Sequence, residues 1–308
     1  MSQKFYYGGQ AVIEGVMMRG QRYATTVCRQ PDGSVVSRTE ELSGALREQS
    51  RQIPVVRGVA LLWETMQLGV RSLFFSSQVA DGRDPEAPLA RGAMLFAVAT
   101  SLLFSVLIFF ITPLVLTAWM EPRLGHTSMV MFEGLVRLLI LLGYLFTIGR
   151  IPTVRRLFAH HGAEHKTVNA YEAGAPLTPE SVRAFSVIHT RCGTSFLLTV
   201  MLISTFVFGA LGSQPLWLEI ISRIVLIPAI AGLAYEVLRF TADHYDNRFI
   251  RILIRPNLEL QYFTTREPSD AQLELAIFAL RHVLVLDGVL AAEPVTIRGA
   301  LPIPAGAD

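Results

Sequence analysis

A short segment with the sequence HHGAEHKTVNAYE, residues 160–172, contains three of the chain's seven histidines. Within it, His161, Glu164 and His165 fit the pattern H-x-x-E-H, the inverted form of the zincin motif. On a helix, residues four positions apart share a face, so both imidazoles can bind one zinc ion. The glutamate can accept a proton from a water molecule whose pKa the ion lowers. We therefore predict a divalent metal site, with zinc preferred, in which His161 and His165 are ligands, Glu164 is the general base and Glu172 supports the ligands.

The same segment has a non-catalytic interpretation, which the sequence leaves open. Gly162 weakens the helix that the metal site requires. In a hydrated loop beside lipid headgroups, His160, His161 and Lys166 would contact anionic lipid, and Glu164 would pair locally.

A catalytic zinc also needs a third protein ligand. The sequence IHTRCG places His189 and Cys192, with Arg191 between them, just before an apolar segment, and Glu236 lies at the end of another. A carboxylate at such a boundary must be paired, hydrated or metal-bound, so Glu236 is either a ligand or the partner of Arg239. We predict Glu236 or His189 as the third ligand, because a cysteine like Cys192 is more commonly an ordinary reduced residue at a helix start.

The composition indicates that these residues belong to a membrane protein. Hydrophobic residues make up 51% of the 308, charged residues only 17%, and the mean hydropathy is +0.42. Soluble domains carry about a quarter charged residues. The net charge of +2 excludes the basic field of a nucleic-acid-binding protein. The two cysteines, far apart, suit a reducing compartment, and the first residues show no secretory signal.

Four apolar segments are long enough to predict transmembrane helices: residues 93–119, 129–148, 195–211 and 216–238. Lysines and arginines number eleven in residues 1–92, six in residues 149–194 and seven in residues 239–308, against a single one in residues 120–128. Positive residues stay in the cytoplasm, which places both termini and the histidine segment there. We therefore predict a multi-pass protein of the bacterial inner membrane with cytoplasmic termini.

A weak internal repeat groups the four predicted helices into two pairs. The second helix of each pair carries Glu-x-x-x-Arg, as Glu133/Arg137 and Glu219/Arg223. The spacing puts each pair on one helical face. We interpret them as two ion pairs at the outer interface that hold helices together, and leave a polar pathway through the membrane as the alternative.

The remaining segments predict a fold of four parts. Residues 1–58 form a small cytoplasmic β-rich unit, with a hairpin turn at Gln-Pro-Asp-Gly (residues 30–33), and residues 59–92 form an amphipathic helix on the membrane or under the sheet, then a linker. The predicted transmembrane domain spans residues 93–238 and includes the cytoplasmic histidine-rich loop 149–194. In the cytoplasmic segment 239–308, we predict a strand at 258–263, a helix at 270–286 that begins with a capping box, and a loose final stretch of about twenty residues.

Several longer stretches resemble a known family: GGQAVIEGVMMRG (8–20), HGAEHKTVNAYEAG (161–174), HTRCGTSFLL (189–198) and TTREPSDAQLELAIFAL (264–280). Together they resemble the YqhQ family of bacterial membrane proteins, domain of unknown function 1385, described as predicted metal-dependent enzymes. The resemblance implies that Glu14 and Arg19 belong to a signature, so Glu14 could reach the metal or a basic partner. Members usually have His-Pro-Arg-Cys at 189–192 and a single histidine before Gly-Ala-Glu-His, which makes His160 the less expected ligand.

Two classes of function follow from these predictions. The first is a membrane-embedded, metal-dependent hydrolase at the cytoplasmic surface, acting on a peptide bond or a lipid-linked group. The second is a non-catalytic membrane assembly or scaffold factor, in which the same motifs form a buried polar network. A transporter is a weaker third, because the sequence predicts four spans without a broken helix. The lipid bilayer is the predicted partner, no nucleic acid is expected, and the oligomeric state is left open.

Overall fold

The computed structural model of the chain describes residues 5–42, 53–85, 87, 91–118, 120, 123 and 125–291. The strands are β1 Gly8–Val12, β2 Gly15–Arg19, β3 Tyr23–Arg29 and β4 Val35–Glu41. The helices are α1 Val56–Ala80, α2 Arg91–Val106, a π-helical turn Leu107–Ile111, α3 Thr112–Ala118, α4 His126–Ile148, α5 Pro152–Glu172, α6 Pro179–Val182, α7 Gly193–Ala210, α8 Leu216–Val225, α9 Ile227–Asp243, α10 Arg248–Leu253, α11 Arg255–Glu259, α12 Gln261–Thr264 and α13 Asp270–Leu286. The described part is therefore mostly helical, with a small N-terminal sheet.

The sheet is antiparallel with strand order β1-β2-β3-β4. The hairpin predicted at Gln-Pro-Asp-Gly is confirmed, with Gly33 at a φ of 88° and the Asp32 carboxylate accepting a hydrogen bond from the Ser34 N–H. The turn between β1 and β2 places Glu14 at its tip with a φ of 52°. Successive side chains of a strand point to opposite faces, which gives this sheet two apolar surfaces.

Each face of the sheet is covered by helices. Val16 and Met18 face α5 and α13, whereas Met17 and Cys28 face α1, where they pack with Phe75. The C-terminal half of α1 therefore lies under the sheet. The N-terminal half of the same helix packs on α9, so α1 joins the sheet to the apolar helices.

Three of the helical stretches are long and apolar enough to cross a membrane: Gly92–Ala118, His126–Ile148 and Gly193–Ala210. A fourth crossing is possible only if α8 and α9 count together, because they meet at a bend of 49°. Pro228 lies in the first turn of α9, where a proline lacks the N–H needed to continue a helix from α8. The prediction of four unbroken spans is thus wrong for the fourth, which is broken at Leu226.

Three of the charged residues of the predicted repeat, Glu133, Arg137 and Arg223, form one buried cluster. Glu133 pairs with Arg137 on its own helix and with Arg223 of α8 at 2.7 Å, and all three side chains are at most 3% exposed. Arg137 also donates to the Phe109 carbonyl in the π-helical turn (2.8 Å) and to Ser204 of α7 (3.2 Å). The charges therefore join helices, as interpreted, but not as two separate ion pairs, because Glu133 is shared between Arg137 and Arg223.

The C-terminal predictions have mixed outcomes. The helix predicted at 270–286 is observed as α13, and its capping box joins Ser269 and Gln272. The strand predicted at 258–263 is wrong, since the chain there is helical in α11 and α12. The predicted loose tail, residues 292–308, lies outside the described residues.

Candidate metal centre

The histidine motif lies on α5, a continuous helix that packs against β1 and α13. Proline at the first helical position, Pro152, suits its start, and Gly174 with a φ of 70° follows its end. The helix continues through Gly162, where glycine is required because a Cβ would lie 2.1 Å from the carbonyl oxygen of Arg266. The glycine that disfavours a helix by propensity therefore allows the Arg266 backbone to pack directly against α5.

Three side chains bring potential metal-binding atoms together at one point. One atom each from His161, His165 and Cys192 lie within 4.8 Å of one another, and His165 and Cys192 are buried. The two histidines come from one face of α5, as the four-residue spacing predicted, and Cys192 comes from the N-cap position of α7. The cysteine is the third member of this cluster.

Hydrogen bonds set both imidazoles in the orientation that metal binding requires. His161 Nδ1 lies 2.9 Å from the Thr264 carbonyl oxygen, and His165 Nδ1 lies 2.6 Å from that of Val187. A carbonyl can only accept, so each Nδ1 carries a proton and, in the neutral ring, the Nε2 lone pair is the one that can bind a metal. Metal-binding histidines are commonly held in this way by a backbone carbonyl.

The separation of Cys192 Sγ and His161 Nε2 is close to that of two ligands of one zinc ion. With Zn–S of about 2.3 Å and Zn–N of about 2.0–2.1 Å, tetrahedral geometry separates neighbouring ligand atoms by roughly 3.3–3.6 Å. Cys192 Sγ lies 3.3 Å from His161 Nε2, and it also accepts a hydrogen bond from the Thr194 N–H at 3.3 Å. Two imidazoles and one thiolate are a ligand set that zinc accepts, and they leave a fourth position for water or substrate.

Glu164 lies beside this cluster, buried against strand β1. Its Oε2 is 3.6 Å from His165 Nε2. Gly9 makes room for it, because a Cβ on Gly9 would lie 3.0 Å from the Glu164 Cγ and 2.3 Å from the Met17 carbonyl oxygen. The glycine of the N-terminal signature thus positions the carboxylate that the sequence predicts as general base.

His189 is next to the cluster but faces a different pair of side chains. Its Nε2 lies 3.5 Å from Glu172 Oε2 and 3.5 Å from an Arg191 guanidinium nitrogen, and Arg191 pairs with Glu172. The His189 and His165 ring centres are 5.7 Å apart. Burial lowers the pKa of His189; nearby His161 lowers it further, and Glu164 opposes both. Glu172, Arg191 and His189 therefore form a neighbouring polar group.

The structure does not bring Glu236 into the cluster. Its carboxylate binds the guanidinium of Arg57 through both oxygens and accepts a hydrogen bond from the Val55 N–H at 3.3 Å. The ion-pair alternative is observed, but with Arg57 of α1 instead of Arg239. Sequence reasoning could not foresee this partner, because it lies 179 residues away in the chain.

The two signature residues of the N-terminal unit hold the sheet to its flanking helices. Glu14 at the tip of the β1–β2 turn pairs with Arg156 of α5. Arg19 on β2 contacts Thr65 Oγ1 at 3.0 Å and Glu64 at 3.4 Å, both on α1. Of the alternatives for Glu14, the structure thus shows the basic partner.

Sequence reasoning missed the residues that hold the ligands in place. Gln261, fully buried on α12, accepts from the His189 N–H at 3.0 Å and donates to the His189 carbonyl at 2.8 Å. It fixes the segment that leads to Cys192. The main-chain carbonyls of Thr264 and Val187 orient the two histidines, and no side-chain pattern in the sequence marks these positions.

His160, the first histidine of the motif, is buried outside the cluster, and burial together with Arg156 and Arg29 lowers its pKa to about 4.

Comparisons with known proteins place the chain in a family without a known activity. The chain is 36% identical to the uncharacterised protein YqhQ of Bacillus subtilis (strain 168) over 298 residues, which cover 92% of this chain and 93% of that protein. No solved structure matches this chain. The family described as "Protein of unknown function (DUF1385)" matches residues 53–286, which include every member of the candidate metal cluster. The chain therefore belongs to the DUF1385 family.

Proposed function

We propose that this protein is a membrane-embedded, metal-dependent hydrolase with its centre at the cytoplasmic face of the bilayer. The observation that carries the proposal is the convergence of His161, His165 and Cys192, with both Nδ1 atoms bound to carbonyls so that each Nε2 can act as a metal ligand. A zinc ion, when bound there, would supply Lewis acidity towards a carbonyl or phosphoryl group and would lower the pKa of water.

The surrounding side chains have distinct roles in this proposal. Glu164, beside His165, would take a proton from the attacking water. Glu172 and Arg191 hold His189 at the edge of the cluster, where it would donate a hydrogen bond to the substrate or accept one from it. The substrate would contain a hydrolysable bond of a peptide or of a lipid-linked group.

Membrane insertion is supported by the surface of the apolar helices. In the most apolar window of the stretch Gly92–Ala118, no residue is buried inside the molecule. A large contiguous apolar surface of this kind is rare on soluble monomers and is typical of contact with lipid or a partner. The excess of arginine and lysine on the histidine-motif side supports a cytoplasmic location for that side. A topology reporter fused after residue 308 should therefore report a cytoplasmic location, and an external signal would contradict this orientation.

A hydrolysis assay tests the catalytic part. Purified, zinc-loaded protein should hydrolyse a simple activated ester such as p-nitrophenyl acetate, and a chelator should abolish the reaction. Glu164→Gln should keep its zinc and lose on the order of a hundredfold in rate, the usual contribution of a general base. Glu180→Gln, an exposed glutamate on α6, is the matched control and should retain the rate. Hydrolysis by Glu164→Gln at the wild-type rate would show that Glu164 is not the base.

The ion pairs of the signature residues favour a second candidate function, a membrane scaffold. Glu14–Arg156 and Arg19–Glu64 tie the sheet to α5 and α1, so these residues serve the architecture. In that case the histidine and cysteine cluster would hold a purely structural ion or none. Zinc binding without any hydrolysis, and an unaltered Glu164→Gln phenotype in cells, would favour the scaffold.

A further inference from the structure

The junction between α4 and α5 contains an open cavity of about 490 Å³. Its lining divides into a cationic part, made by Arg150, Arg155 and Arg266, and an apolar part, made by Leu145, Phe146, Gly149, Tyr262 and Phe263. The volume lies within the range of about 300–1,000 Å³ typical of small-molecule sites. The cavity is therefore large enough for a polar headgroup and the start of an apolar chain.

The three arginines are not neutralised by carboxylates. The lining contains no acidic residue, and in the part of the chain that the structure describes none of the three forms a salt bridge. Arg150 donates to the Phe146 carbonyl at 2.8 Å and lies over the Phe146 ring. Arg266 donates to the carbonyls of Tyr262 and Thr265, both at 2.7 Å. Backbone contacts thus hold two guanidinium groups in place while leaving their positive charge uncompensated.

Three positive charges in one cavity favour an anion with several oxygens. Guanidinium groups bind phosphate through paired, charge-assisted hydrogen bonds, and arginine is the usual residue for this purpose. An inorganic ion alone would leave the aromatic and aliphatic part of the lining without a partner. A phosphate attached to an apolar chain would contact both parts.

The position of the cavity identifies the source of such a ligand. It lies at the C-terminal end of α4, one of the stretches that can cross a membrane, and the arginines follow the last apolar turn. In the orientation proposed above, this is the cytoplasmic headgroup region, where basic pockets bind anionic lipid. We infer that the cavity binds the phosphate group of an anionic membrane lipid, with its apolar chain along Phe146, Tyr262 and Phe263.

The same segment that lines this cavity also orients a metal ligand. Thr264, two residues before Arg266, accepts the hydrogen bond from His161, and the Arg266 N–H donates to the Phe158 carbonyl of α5 at 2.9 Å. A lipid bound at Arg266 would thus lie next to the segment that holds His161. The inference rests on the proposed membrane insertion and does not require a bound metal.

Native mass spectrometry of the full-length protein in detergent tests the lipid site. Phosphatidylglycerol should bind more tightly than phosphatidylcholine. Arg155→Gln, which removes an exposed and unpaired guanidinium, should weaken phosphatidylglycerol binding on the order of tenfold, as expected for one charge-assisted hydrogen bond. Arg155→Lys should retain most of the affinity because it retains the charge. Arg83→Gln removes another exposed arginine, far from the cavity lining, and should leave binding unchanged.

Competition with inorganic phosphate and pyrophosphate identifies the ligand's source. If neither displaces the lipid at millimolar concentration, the lipid is the ligand; displacement at micromolar concentration would confirm the anion site and assign it to a free phosphate compound. Equal binding of the two lipids, or equal loss in Arg155→Gln and Arg83→Gln, would overturn the inference. The zinc content of the same preparations, which should not change in Arg155→Gln, separates failure of this site from failure of the metal centre.

Discussion

Replacing Gly162 with alanine tests how tightly α5 must pack to form the proposed metal centre. The new Cβ would lie 2.1 Å from the Arg266 carbonyl oxygen, whereas a close carbon–oxygen contact is about 3.3 Å. Backbone on one side must therefore move by roughly 1.2 Å, several times the tolerance of about 0.2 Å in a metal–ligand distance. Because Thr264, next to this contact, orients His161, we expect zinc affinity to fall roughly 10- to 100-fold.

The same substitution should also destabilise the protein. Alanine normally stabilises a helix by about 0.8–1 kcal/mol relative to glycine, but overpacking costs about 1–3 kcal/mol, so the metal-free protein should lose on the order of 1 kcal/mol. Gly143→Ala in α4 is the matched control, since nothing lies within 4 Å of its added Cβ. Zinc affinity is measured by competition with a chromogenic chelator, and stability by denaturation of the metal-free protein. Unchanged affinity and stability in Gly162→Ala would refute the packing argument.

Three further substitutions or conditions test separate parts of the structure. Glu236→Gln should lower stability by about 1–2 kcal/mol through loss of the Arg57 pair, measured by thermal unfolding, with no loss of zinc. Glu133→Gln should cost about 3–5 kcal/mol because it leaves Arg137 and Arg223 buried without their shared carboxylate, and a wild-type unfolding midpoint would contradict this. Lowering the pH from 7 to 5 should cost about 2 kcal/mol through His160, since its pKa of about 4 when folded lies below its ordinary value near 6.5 and the unfolded chain binds the proton first. His160→Phe should remove this contribution and flatten the pH dependence, and an identical pH profile in the variant would exclude His160 as its source.

The sequence predicted the parts of the fold that depend on local patterns. Alternation and a turn signal predicted the β3–β4 hairpin, a capping box predicted the start of α13, and apolar length predicted the positions of three long helices. The pair spacing of His161 and His165 predicted their shared helical face. Each of these signals is formed by residues that are close to one another in the chain.

The parts that failed depend on contacts between distant residues. The partner of Glu236 is Arg57, from a helix that periodicity alone left either on the membrane or under the sheet. The sequence ranked Cys192 behind Glu236 and His189 as a ligand, and only folding brings its sulfur to His161, 31 residues away. Gly162 disfavours a helix by propensity, but tertiary packing against Arg266 overrides that preference. The break at Leu226 follows from Pro228, a signal that the apolar length of the segment obscured.

The metal content of the purified full-length protein tests the central claim most directly. Elemental analysis should find about one zinc ion per chain in the wild type and in Glu236→Gln, and almost none in Cys192→Ser or in a His161→Ala/His165→Ala double variant that remains folded. Zinc absent from the wild type after growth and purification without chelators, or retained at full stoichiometry in the cysteine and histidine variants, would contradict a metal centre built from these three side chains.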